Sequence, residues 1–213
     1  MARRWAFVTV GLAAGFSGAA VIGTIVTRTS LLLLETVLAV VCLGAAVLVL
    51  RRVPRPIASE IVVVARAGLI AGFVGTLAYD VTRVGLSFAE PSPYNPFEAI
   101  RQFGLGVFPG GSPEVVMAAG YTVHFLNGST FGVIYATFAG RRILAVWAAA
   151  LAGIIWGMTL VVLQGILYPG WLRITDMLAE FLVIAGLGHV AYGATLGLSV
   201  RWLLNRKPVE ESA

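Results

Sequence analysis

Apolar residues fill the chain in long unbroken runs, separated by short charged or proline-bearing breaks. Four runs carry no charge: Trp5 to Thr27, Val115 to Gly140, Ile143 to Leu172 and Phe181 to Val200. Two more hold isolated charges: Thr29 to Leu50 around Glu35, and Ile61 to Leu86 with Arg66, Asp80 and Arg83. A helix that crosses a bilayer needs about 20 mostly apolar residues. Uninterrupted runs of this length lack the alternation of a membrane strand. The pattern predicts an all-α integral membrane bundle of six transmembrane helices, at 5–27, 30–50, 61–85, 115–139, 143–168 and 177–201. They form one domain over 1–201, followed by a charged cytoplasmic tail over 202–213. The first run begins like a signal peptide, with Arg3 and Arg4 before it, but it stays apolar through Val26 and so reads as a span.

One connection, 87–114, is long enough to hold structure of its own. Asn95 as N-cap, Pro96 as first helical residue and Glu98 at the third position make a helix start. The helix should run to Phe103 and stop at Gly104, with Phe97, Ile100 and Phe103 on one face. This predicts a short interfacial helix, lying at the membrane surface or tucked over the mouth of the bundle.

Composition agrees and narrows the class. Of 213 residues, 59% are apolar and 12% charged, about half the soluble average of roughly 25% charged. Basic residues set the orientation. With six spans, Arg3, Arg4, Arg51, Arg52, Arg55, Arg141, Arg142, Arg201, Arg206 and Lys207 share one side, against Arg28, Arg101, Arg173 and Arg83 on the other. Both termini are therefore expected in the cytoplasm, in the cytoplasmic (inner) membrane. The net charge of +5 follows from topology. It calls for the lipid bilayer as partner and not for nucleic acid. Cys42, the single cysteine, can form no internal disulfide and reads as a small packing residue.

Self-similarity is the most specific signal. Gly11 to Gly18 matches Gly68 to Gly75. His124-Phe-Leu-Asn-Gly-Ser-Thr-Phe-Gly132 aligns with His189-Val-Ala-Tyr-Gly-Ala-Thr-Leu-Gly197, and these segments hold the only two histidines. Both read His-x-x-polar-Gly-small-Thr-x-Gly on helices predicted to run the same way, as a parallel internal repeat would. Gly128 with Gly132, and Gly193 with Gly197, have the small-xxx-small spacing that lets helices approach closely in lipid. In this motif the chain resembles the uncharacterised small polytopic membrane proteins of bacteria and archaea, and is similar in style to the YagU-like inner-membrane proteins. The resemblance covers 124–132 and 189–197. It implies a helical membrane protein and brings no activity with it.

Polar groups within spans are costly and are candidate functional residues. His124, Asn127, His189 and Tyr192 fall toward the membrane middle. Glu35, Asp80, Arg83 and Glu180, with Gln164, Tyr168 and Asp176, cluster toward the outer face. Asp80 and Arg83, three apart, can pair, with Thr76 on their face; Glu180 and His189, nine apart, point oppositely unless the helix bends. The reading is an outward-facing polar vestibule above a midplane histidine pair, serving small-solute or ion transport or ligand binding, with no cofactor. One alternative is a b-type haem electron carrier with His124 and His189 as axial ligands. Another is a non-catalytic scaffold or subunit, working as a homo-oligomer or with a membrane partner. No metalloprotease, nucleophile-elbow, phosphate-loop or Cys-x-x-Cys pattern is present, so nothing marks an enzyme.

Overall fold

The computed structural model describes residues 2–89, 94–140 and 145–205. The described residues are helical throughout, with no strand among them. Three helices make an N-terminal arm: α1 (Ala2–Ala13), α2 (Phe16–Thr27) and α3 (Leu31–Arg52). The remainder comprises α4 (Arg55–Ala89), α5 (Glu98–Val107), α6 (Pro113–Tyr135), α7 (Val146–Leu172) and α8 (Leu178–Asn205). Four helices (α3, α4, α7 and α8) are long and apolar enough to cross a membrane, and a fifth span results if α1 and α2 count as one. Helix α6 has the length, at 23 residues, but falls short in apolarity. It carries His124, Asn127, Ser129 and Thr130, and it packs on α4, α5 and α2.

Several expected boundaries move. The first span is not one helix over 5–27 but two, bent by 47° at Ala14–Gly15. There the Gly15 N–H reaches back only three residues, to the Leu12 carbonyl at 2.9 Å. A side chain at Gly15 would press on that same oxygen, so the tightened turn suits glycine. Helix α4 runs ten residues beyond the expected 61–85, because Pro54 and Pro56 start it early and the Arg83 carbonyl binds the Ser87 hydroxyl near its end. The span expected over 115–139 begins at Pro113 under a Ser112 cap and turns into a π-helical stretch over Ala136–Gly140. The last span continues to Asn205, so the start of the expected tail is helix. The rest of that tail, with Arg206 and Lys207, and the basic pair Arg141 and Arg142 lie outside the described residues.

The loop helix also differs from expectation. Asn95 caps a turn that precedes α5, accepting from the Phe97 N–H at 3.0 Å, and Glu98 becomes the first helical residue. Gly104 does not stop the helix. It lies within it, because only a glycine lets α5 meet the Val116 backbone of α6. The same contact recurs where Gly120 of α6 faces the Ile100 carbonyl. Ile100 and Phe103 are buried, so α5 is sealed against one end of the bundle.

Four helices pack in the row α6–α4–α8–α7, zipped by small residues. Gly68 and Gly72 of α4 lie against the backbone of α6 at Gly132 and Gly128. Ala149, Gly153 and Gly157 of α7 lie against α8 at Gly197, Gly193 and His189. A Cβ on most of these glycines would strike backbone, which cannot yield as a side chain does. At such contacts van der Waals packing takes over the part that hydrophobic burial plays in water. The ends of the row, α6 and α7, are bridged by α2, which rests mainly on α3. Large apolar side chains cover the outside, as on Val40, Val81, Trp147 and Ile166.

Candidate functional site

A cavity of about 70 Å³ lies inside the row, walled by α4, α6, α7 and α8 and roofed by 94–97 and α5. At roughly 10–15 Å³ per water it has room for about five waters or one small polar group. Thr76, His124 and His189 of its polar lining stand one turn from the seam glycines Gly72, Gly128 and Gly193.

Among the described residues Arg83 is the most buried charge, with 2% of its surface exposed. Its Nη2 donates to Asp80 Oδ1 at 2.6 Å and its Nη1 to the Pro96 carbonyl at 2.9 Å. The guanidinium lies between the rings of Tyr79 and Phe97, 5.2 and 4.8 Å from their centroids. Its Nε–H has no partner and is buried. Asp80 Oδ1 also receives His124 Nε2 at 3.1 Å. The result is a chain, Arg83–Asp80–His124, in which one carboxylate neutralises one guanidinium and orients one imidazole.

His189 is held differently. Its Nδ1–H donates to the Ala185 carbonyl at 2.7 Å, which leaves Nε2 to accept from the Gln164 amide at 3.3 Å. That pattern is the neutral imidazole. Each histidine thus binds a polar side chain of the helix its own glycines are zipped to: His124 with Asp80 of α4, His189 with Gln164 of α7. The Tyr79 ring stands between them, 5.7 Å from His124 and 4.8 Å from His189. Asn127 is 8% exposed, and its side-chain carbonyl oxygen is buried with no donor. Tyr94, outside the spans, closes the roof, and burial pushes its phenol above the usual tyrosine range, so it stays a neutral hydroxyl.

Of the residues singled out in the sequence, His124, Asn127, His189, Tyr192 and Arg83 line this one cavity, and Asp80 ties two of them. The Tyr192 hydroxyl is spent on the Gly128 carbonyl at 2.8 Å, joining α8 to α6. Glu35 and Glu180 are not among the lining residues. Glu35 accepts from the Ser17 hydroxyl of α2 at 2.6 Å. Glu180 stands half-buried in the first turn of α8, nine residues before His189. The four glycines of the two motifs line the helix seams, as their spacing predicted. Sequence reasoning missed Tyr79 and Tyr94. The signal for Tyr79 was its place four residues before Arg83, which stacks the guanidinium on the ring.

Among the described residues no group of three or more His, Cys, Asp or Glu side chains could hold a metal ion. Comparison with family models, with curated proteins and with solved structures gives no match.

Proposed function

We propose that the chain is a six-span protein of the cytoplasmic membrane, both termini inside, that takes an uncharged hydrogen-bonding ligand into the central cavity and hands it across the bundle. The sixth span is α6, about 34 Å long at 1.5 Å per residue, antiparallel to α4 along their shared glycines. Exposed Trp5, Trp147 and Trp202 mark the helix ends opposite α5, the level at which indole rings favour a membrane interface. The basic residues near those ends give the cytoplasmic side, and α5 then lies at the outer interface.

The observation that carries the ligand reading is a small cavity whose polar lining includes two residues with a buried, unpartnered atom each, Arg83 (Nε–H) and Asn127 (Oδ1). A buried polar group left unsatisfied costs about 1–3 kcal/mol, so two such residues on the walls of one small space support a place kept for an outside partner. The ligand is uncharged because the site's own charges already cancel in the Asp80–Arg83 pair. A small group that both accepts and donates, such as a hydroxyl, suits a lining of this kind.

Haem suits the site poorly. Both imidazole Nε2 atoms are engaged, and the Tyr79 ring separates the two histidines, so they do not offer two axial ligands to one iron.

The test is to purify the protein from membranes, extract it and compare the bound small molecules of wild type and Asn127→Leu by mass spectrometry. A hydroxyl-bearing compound retained by the wild type and lost from the variant is expected. Identical extracts, with no such compound in either, would overturn the reading.

A further inference from the structure

Helix α4 turns one face outward along its length. Arg55, Ser59, Val62 and Arg66 follow one another at steps of four, three and four residues, so they share that face, and all four are exposed. The same face continues through Ile70, Phe73, Leu77 and Val81, each exposed and apolar. The opposite face holds Val64, Ala67, Ala71 and the seam glycines Gly68 and Gly72, all buried. Arg66 is therefore a charge set in an apolar outer face, within a helix long and apolar enough to cross a membrane. Among the described residues it has no ion pair and no hydrogen-bond partner. The nearest acid before it in the sequence, Glu60, is taken by Arg3.

The packing of α4 on α8 gives the depth of Arg66. The two helices run antiparallel, with Gly75 against Tyr192 and Tyr79 against Gly188. Carried nine residues beyond the first of these pairs, the same register sets Arg66 level with Arg201 and beside the level of Trp202. Trp202 is 53% exposed, and an exposed indole favours the membrane interface. Arg66 also lies eleven residues from the Arg55 end of α4 and 23 from the Ala89 end. A guanidinium stays charged in any surroundings, so one that faces lipid needs an anion. The Cα–Cβ bond of a helical residue tilts toward the N-terminus of its helix. The stem of Arg66 thus starts toward Ser59 and Arg55, and so toward the head groups rather than the acyl chains.

We propose that the outer face of α4 is a binding site for an anionic phospholipid, with Arg66 as its phosphate anchor. It rests on α4 spanning the membrane as proposed above, and not on the central cavity. The lipid phosphate takes the Arg66 guanidinium from the head-group side, where the Ser59 hydroxyl stands on the same face. The acyl chains lie along Ile70, Phe73 and Leu77. A head group that carries its own cation is disfavoured, because Arg55 shares the face and no carboxylate on it offsets the charge. A phosphatidylglycerol, with a phosphate and no cation, fits both the arginines and the apolar track above them.

The experiment is native mass spectrometry of the full-length protein in mild detergent, with phosphatidylglycerol and phosphatidylcholine of matched chains added in equal amounts. The wild type should retain phosphatidylglycerol in preference. Arg66→Gln should lower that retention about fivefold, the effect of one basic residue near a lipid surface. Arg66→Lys keeps the charge and should keep most of the binding. Arg101→Gln, on α5, should leave it unchanged. The thermal midpoint of Arg66→Gln in lipid-free micelles should match the wild type, since the side chain has no protein partner to lose. Glycerol phosphate, the same head group without chains, should not displace the lipid; if it does, the site takes soluble phosphate and the proposal falls. Equal retention of the two lipids, or equal retention of phosphatidylglycerol by wild type and Arg66→Gln, would overturn it. So would a dimer that is lost on Arg66→Gln, which would give the face to a second copy of the chain. None of these outcomes bears on the extraction of Asn127→Leu, so the cavity reading stands or falls separately.

Discussion

The bundle is built in two ways. In the row α6–α4–α8–α7, glycine meets backbone, and half of the most apolar stretch of α8 is buried. In the arm α1–α3, helices meet through side chains, and only 6% of the corresponding stretch of α3 is buried. Close backbone contact fixes direction, so the row can aim Arg83, His124 and His189 at one point. Side-chain contact can open and reclose at lower cost. The polar cavity lies within the rigid row, and a smaller apolar pocket lies where that row faces α2 of the looser arm.

The sharpest way to break this comparison is to put the same side chain into each part. Gly153→Leu drives a side chain into the Gly193 carbonyl of α8 and should cost about 3 kcal/mol or more, enough to deplete the folded protein. Gly44→Leu on α3, with nothing within 4 Å, should leave the thermal midpoint unchanged. Equal losses would show that the two parts are packed alike. Half-buried carboxylates sharpen the contrast further. Asp80→Ala leaves Arg83 charged and unpaired and should destabilise by about 3 kcal/mol. Glu35→Gln keeps a hydrogen-bonding partner for Ser17 in the arm and should cost less than about 1 kcal/mol in the same melt. A larger loss at Glu35 would place the arm's polar contact on a par with the site's.

A smaller effect is expected on α5. Hydrogen bonds from Arg101, and next from Gln102, hold the Glu98 carboxyl below the usual carboxylate range. A depressed native value means that the contribution is present above the unfolded value and is lost as pH falls through the native one. Glu98→Gln should therefore cost about 0.5 kcal/mol at neutral pH. The two proteins should converge in acid. A gap that persists at low pH would show that the ion pair is not its source.

The two-part design was only half legible in the sequence. Apolar runs marked the helices, because lipid demands length and apolarity wherever a helix faces it. They overstated α6, whose His124, Asn127, Ser129 and Thr130 lower its apolarity, and they could not show the bend at Gly15, since an apolar run reads the same whether it is straight or broken. The spacing of Gly128 with Gly132 and of Gly193 with Gly197 pointed correctly to close seams. Which helix each seam would meet was not visible, because Gly68 and Gly153 lie in runs rich in other small residues. At the site, the Asp80–Arg83 pair was readable as a local three-residue spacing. Glu35 and Glu180 were grouped with it by depth alone, and depth says nothing of direction around a helix. Tyr79 went unseen for the same reason in reverse: an aromatic in an apolar run looks like packing until its neighbours are known.

The most direct test is the unfolding midpoint of Asn127→Leu in ligand-free micelles. If Asn127 is kept for a ligand, removing its unpartnered oxygen should stabilise the empty protein, by about 1 kcal/mol, even though ligand retention is lost. A midpoint below that of the wild type would show that Asn127 serves the fold, and would contradict the account.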